Sequence, residues 1–271
     1  MKRCVRSFIA LLAAGLLAAT AGGIEFKPGE TVEFVVQLPE AFRLMAGAGK
    51  LSPAKLARCA VAVPKNFDPA KPWPVLVTNA SVEPQWHNNL REMRPFVAPA
   101  LAAGWVVVAA DSDLEVTMKE DTNPLRYAVI KAVLAVLASE WPGSEKWPLA
   151  MGGFSGGAKR AAWMAAIITV EHRRPIGVIQ LGCNEPTMKD AMENYEAPRR
   201  EFTEIPVFLS SGNADPVATP EDHRRVKREL EDAGFRHVRL ERFAGRHEVH
   251  AEHIGQALEW FTTEAAKAAA K

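Results

Sequence analysis

Cysteine is scarce in this chain. Of its 271 residues only Cys4, Cys59 and Cys183 are cysteines. The first of them lies in an N-terminal segment that reads as a removable leader. Two cysteines cannot build a disulfide framework, so a hydrophobic core has to hold the fold. An excess of charge of one sign is also missing: 33 Lys and Arg stand against 32 Asp and Glu, for a formal net charge of +1. There is no Lys/Arg block either, which argues against nucleic acid or an anionic membrane surface as a partner. No His-Glu-x-x-His spacing occurs, since Glu248 after His247 is followed by Val249 and His250; no metal is expected, and no cofactor. Internal repeats and Gly/Ser linkers are absent from the sequence, which reads as one domain spanning residues 22–271, with 22–56 as an arm and first strand joined to the 57–271 core.

What is present divides at about residue 21. Lys2, Arg3 and Arg6 precede an apolar run from Phe8 to Ala19, and Ala19-Thr20-Ala21 supplies the small residues of a cleavage point. That order predicts a secretory signal over 1–21, too short for a membrane span; an uncut N-terminal anchor is the alternative. Loss of the three basic residues takes the formal charge from +1 to −2. The mature protein is then expected to be periplasmic or released.

The rest has the 48% hydrophobic and 24% charged content of a globular protein. Alternation over 31–38 predicts a half-buried strand, 57–63 reads as a second, the wholly apolar 74–78 predicts one buried on both faces, and 104–110, 147–151, 175–181 and 205–210 read as further strands. Alternation returns over 237–243. Between the later strands lie helical patterns. One covers 89–103, interrupted by Pro95 and Pro99. One starts at Asn123 as N-cap with Pro124 behind it, and others run over 158–170, from Thr219-Pro220 to Gly234, and over 251–269. Residues 41–55 read as a short helix or a loop, and 184–202 as a loop or a small cap. Strands alternating with helices predict a mostly parallel sheet covered on both faces.

In such a sheet, functional groups gather beyond the carboxyl ends of the strands. The polar residues there are Asn79 and Ser81, Asp111 and Asp113, Ser155, Cys183 and Asn184, Asp215, and Arg246, His247 and His250. Ser155 is the centre of Gly153-Phe-Ser-Gly-Gly157, between a strand and a helix, the context in which a sharp turn can present a serine hydroxyl. An acid follows in Gly-Asn-Ala-Asp215-Pro, then a histidine in Ala-Gly-Arg-His247-Glu. His250 and His253 are rivals for the histidine, the second as a packing residue in the last helix. Asp111 and Asp113 are rivals for the acid.

These three motifs in this order resemble the α/β-hydrolase superfamily, in particular its secreted carboxylesterase, phospholipase-like and depolymerase-like branches. The likeness covers about 57–261. It implies an α/β-hydrolase fold of about eight strands, mostly parallel, with a small cap or none. It implies Ser155 as nucleophile, His247 as base and Asp215 as the acid orienting it, acting on a small-molecule or polymer-linked ester through an acyl-enzyme. The Gly156 amide would be one oxyanion donor. The other would come from Ala80 or Ser81, where the family places His-Gly and this chain has Asn79-Ala80. Glycine's freedom to turn its amide is missing there, and this opens a second reading: a binding protein with a degenerate oxyanion hole. Trp86 and His87 follow in the same loop and are candidates to line the substrate pocket. The family's strand order also sets Cys59 and Cys183 about four strands apart. At ~4.8 Å per strand that is about 19 Å, too far for a disulfide.

Overall fold

The structure, a computed structural model, describes residues 23–115 and 117–270; the expected leader over 1–21 lies outside them. In chain order the elements are β1 (Thr31–Gln37), α1 (Glu40–Ala46), β2 (Leu56–Ala62), β3 (Val75–Asn79), α2 (Asn89–Glu92), α3 (Arg94–Ala102), β4 (Val106–Ser112), α4 (Asn123–Glu140), β5 (Leu149–Phe154), α5 (Gly156–Val170) and β6 (Gly177–Leu181). They continue with α6 (Thr187–Asn194), α7 (Arg199–Phe202), β7 (Val207–Gly212), α8 (Pro220–Asp232), β8 (Val238–Phe243) and α9 (Ala251–Ala269). The strands form one sheet in the order β1-β2-β4-β3-β5-β6-β7-β8. Strands β3 to β8 run parallel, and β2 is antiparallel to both β1 and β4.

The central strands are buried on both faces because alternate side chains feed two separate cores. Val75, Val77, Val106, Val108, Leu149, Met151, Val207 and Leu209 point to one, where Val129, Ile130 and Val133 of α4 and Met164 of α5 meet them. Leu76, Val107, Ala150, Ile179 and Phe208 point to the other, under Phe96 of α3 and Ile254, Leu258 and Phe261 of α9. Cys59 on β2 and Cys183 just beyond β6 are four strands apart in the sheet, and both are free, buried thiols. Burial pushes the Cys59 thiol up to about 12. No helix among the described residues is long and apolar enough to cross a membrane.

Several elements differ from their sequence expectation for local reasons. The helical pattern over 89–103 is split into α2 and α3 at Met93. Pro95 falls in the first turn of α3, where a missing N–H costs no helical bond, and Pro99 is accommodated inside that short helix. Asn123 is not the N-cap of α4. The extended residue is Thr122, whose hydroxyl accepts from the Leu125 N–H at 3.3 Å, and Asn123 begins the helix. At α8 the expected Thr219 cap forms a full capping box with Asp222. Residues 41–55 contain the short helix α1 followed by a turn. Residues 184–202 contain α6 and α7, which pack Met188, Met192 and Phe202 into the core beside α5.

Candidate active site

Four parallel strands end on one side of the sheet, and each delivers one part of the site. β5 runs straight into α5 through Ser155, whose backbone is left-handed at φ 53°, ψ −119°. For a non-glycine residue this conformation is strained by roughly 1–3 kcal/mol and persists only where its surroundings enforce it. Here the enforcement is backbone on backbone. A methyl group at Gly153 would collide with the Gly157 carbonyl, and one at Gly157 with the carbonyl oxygen of Asn79 at the end of β3. The Ser155 N–H is anchored on Leu181 O of β6 at 2.8 Å. The turn thus lifts the Ser155 side chain above the sheet.

The loops after β7 and β8 bring the other two residues to it. They are zipped together by Asn213 N–H to Phe243 O and Ala214 N–H to Gly245 O, both 2.9 Å. Asp215 on the first loop is buried, its side chain 1% exposed, and His247 on the second is 19% exposed. His247 Nδ1 lies 2.8 Å from Asp215 Oδ2, and Nε2 lies 3.0 Å from Ser155 Oγ. With Nδ1 protonated, the imidazole donates to the carboxylate and accepts from the serine hydroxyl, and it could take the hydroxyl proton while the carboxylate stabilises the imidazolium. The other carboxylate oxygen, Oδ1, accepts from the Val217 and Ala218 N–H groups, each at 2.8 Å. Burial by itself would raise the Asp215 pKa. The bond from His247 and the two amides outweigh it and hold the carboxyl below its usual range. The Phe154 ring packs on the imidazole at 4.6 Å.

The rivals lie elsewhere. His250 stacks on Phe243 at 4.6 Å, and His253 is a packing residue in α9, its Nδ1 2.8 Å from Ser210 Oγ. Asp113 accepts from the Lys55 N–H at 3.1 Å. Asp111 is inside β4 rather than beyond it, buried and ion-paired with Arg126 of α4. Cys183 is buried, and Asn184 donates to Val217 O at 3.3 Å.

The wall opposite Ser155 is the loop from β3 to α2. Its Ala80 N–H donates to Asn89 Oδ1 and its Ser81 N–H donates to Trp86 O at 3.1 Å, so both expected oxyanion amides have partners within the protein. The Gly156 N–H, at the start of α5, meets no protein acceptor among the described residues. Trp86 (54% exposed) lines a cavity of about 450 Å³ together with Asn79, Ala80, Ser81, Phe154, Ser155, Val217, His247 and Val249. His87 does not line it. Its carbonyl is held by Arg126 Nη2 at 2.8 Å, and its ring turns to Pro84 O and a small polar recess beside Arg58 and Asp111. No residue of 184–202 lines the cavity.

The polar framework behind this loop was not found from sequence. Asn89, buried, also donates from Nδ2 to Ala110 O at 2.6 Å, and its N–H donates to Asp111 Oδ2 at 2.8 Å. Arg126 pairs with both Asp111 and Asp121, and Arg160 of α5 donates to Asp121 O at 3.2 Å. This buried chain of four charged side chains and one amide links the helix behind Ser155 to the loop facing it. No sequence spacing announces it: Arg126 stands among the buried apolar residues at the start of α4, and Asp121 precedes that helix.

No protein-family model matches the sequence, and no curated protein matches it significantly. An esterase from the hyperthermophilic archaeon Pyrobaculum calidifontis is similar with a TM-score of 0.58 and 14% identity over 89% of this chain and 85% of its own. A fungal esterase from Rhizomucor miehei gives 0.60 and 14%, over 89% and 86%. An α/β serine hydrolase homologue from Coxiella burnetii gives 0.53 and 15%, over 89% and 99%. At such identities it is the fold that is shared: this chain has the α/β-hydrolase fold of esterases and serine hydrolases.

Proposed function

We propose that this protein is an exported serine hydrolase that cleaves carboxylic esters through an acyl-enzyme. The observation that carries the proposal is the unbroken line from Ser155 Oγ through His247 to Asp215, at 3.0 and 2.8 Å. A neutral serine is a weak nucleophile. His247 takes its proton as Oγ attacks the ester carbonyl, then returns that proton to the departing alcohol. Water repeats the sequence against the acyl-Ser155 ester. The carbonyl oxygen, negative in both tetrahedral intermediates, receives the Gly156 N–H at the positive end of α5. The apolar wall of the cavity, with Trp86, Pro95, Phe154, Val217 and Val249, suits the acyl or alcohol part. With 184–202 folded away from the cavity, a polymer-linked ester fits as well as a small one. The neighbouring folds described as esterases support an ester as the substrate.

A short-chain chromogenic ester tests this: wild type should hydrolyse it and Ser155→Ala should not, and equal rates would remove Ser155 from the mechanism. Export rests on the basic and apolar pattern of 1–21. N-terminal sequencing of the exported protein should begin at Gly22; an exported chain starting at Met1 contradicts it.

A second reading rests on one observation, the occupied amides of Ala80 and Ser81. On that reading the chain keeps the fold as a binding protein with slowed chemistry. A fluorophosphonate probe separates the two: rapid labelling at Ser155 alone supports the hydrolase, and absence of labelling supports the binding protein.

A further inference from the structure

We propose that the second oxyanion donor is the side-chain hydroxyl of Ser81, not a backbone amide, and that Glu83 holds this hydroxyl in the resting protein. The inference rests on the serine-hydrolase reading of Ser155. Three observations lead to it. The two amides able to face Gly156 from the opposite loop, those of Ala80 and Ser81, are engaged by Asn89 Oδ1 and Trp86 O. Ser81 Oγ lies directly over the start of α5, since a methyl group at Gly156 would collide with it, and Ser81, Ser155 and His247 line one cavity. Finally, the Ser81 hydroxyl donates to Glu83 Oε2, and Glu83 has no cationic partner among the described residues.

The glycine at 156 thereby acquires a reason beyond its turn: any side chain there would evict the Ser81 hydroxyl. At rest the hydroxyl hydrogen points to the Glu83 carboxylate. A carboxylate beside a developing oxyanion opposes it, so the productive state has Glu83 swung out to solvent, past the exposed Pro84 and Gln85, and the hydrogen turned to the substrate oxygen. The hydroxyl then donates to the oxyanion from one side and the Gly156 N–H from the other. No proton is transferred at Ser81; one hydrogen bond is exchanged for another. Glu83 is a positioning residue in this scheme and Ser81 a catalytic one.

The test is steady-state hydrolysis of a short-chain nitrophenyl ester by purified mature protein. Removing one oxyanion donor typically lowers kcat by about 100- to 1000-fold, and Ser81→Ala should do so with KM within about twofold and its melting temperature little changed. An amide donor would be untouched by that substitution, because the backbone remains. Glu83→Gln should raise kcat by ~10-fold, since its amide can donate to Ser81 Oγ and leave the hydroxyl hydrogen free for the oxyanion. The double variant should be as slow as Ser81→Ala alone. Ser81→Ala at the wild-type rate, with Ser155→Ala inactive, overturns this inference alone. A double variant restored to the wild-type rate overturns it too. Ser155→Ala at the wild-type rate overturns the serine-hydrolase reading and this inference with it.

Discussion

The two walls of the cavity hold their backbones by opposite means. On the Ser155 side, packing does it: Gly153 and Gly157 let main chain touch main chain so closely that the strained turn has nowhere else to go. On the Ala80–Asn89 side, polar groups do it. Asn89 ties the loop to β4, and Arg126 holds the His87 carbonyl while paired with Asp111 and Asp121. Steric exclusion is indifferent to charge and needs no desolvation. A buried polar framework holds only while every member is satisfied, since a lone survivor in a low-dielectric interior is costly. Ser155 is therefore set rigidly, and the loop facing it is set conditionally.

That contrast can be broken in graded steps. The largest effect falls on Ser155. Ser155→Ala should lower ester hydrolysis by at least about 10⁴-fold while leaving the fold intact, read as kcat/KM beside a thermal melt. Next is Arg126→Met, which leaves buried Asp111 without a cationic partner and Asp121 with Arg160 alone. A loss of 3–5 kcal/mol, about what breaking a buried ion pair costs, should appear in urea denaturation. A loss under about 1 kcal/mol would mean that the network does not hold the loop. Third, Asn89→Ala leaves the Ala80 N–H and Ala110 carbonyl without their partner. It should cost about 1–3 kcal/mol, and it should slow fluorophosphonate labelling of Ser155 although it does not touch the serine. Unchanged labelling would show that the two walls act independently.

The smallest effect is one of pH. Burial lowers the pKa of His223, whose Nδ1 lies 3.1 Å from Thr219 O and whose Nε2 has no partner among the described residues. Burial, then the charge of His250, lowers that of His253. The unfolded chain takes up these protons near pH 6.5 and the folded protein only at lower pH, so stability is whole above 6.5 and falls as pH drops below it. Each group can contribute at most about 1.4 kcal/mol per pH unit. His223→Gln should flatten the decline of melting temperature between pH 6.5 and 5. Asp215 acts in a separate window. Its depressed pKa gives stability that is present above about pH 4 and is lost as pH falls further, through the folded value.

Legibility from sequence followed the range of the interactions involved. The Ser155 turn could be read because its cause, three glycines beside a strand and a helix, is local. The Thr219 cap was readable for the same reason, whereas at α4 the sequence pointed to Asn123 and the extended backbone of Thr122 moved the cap one residue earlier. Asp111 looked like a residue beyond a strand because β4 could not be seen to extend to Ser112. The extension comes from pairing with β2, where Arg58 faces Asp111. Residues 184–202 had no period because α6 and α7 are short and bury only a few side chains each.

Sequence alone determined the alternation of strands and helices, the burial of β3 on both faces and the order of serine, acid and histidine, each at the end of its own strand. All of these depend on local patterning or on the rule that places loops at one end of a parallel sheet. Tertiary structure alone decided which polar groups near Ser155 remain available. The Ala80 amide is claimed by Asn89, nine residues away, and Asn89 by Asp111, a further 22 residues on. Hydrogen bonds form between groups that are close in space, and closeness across a folded sheet is not written in the spacing of the chain.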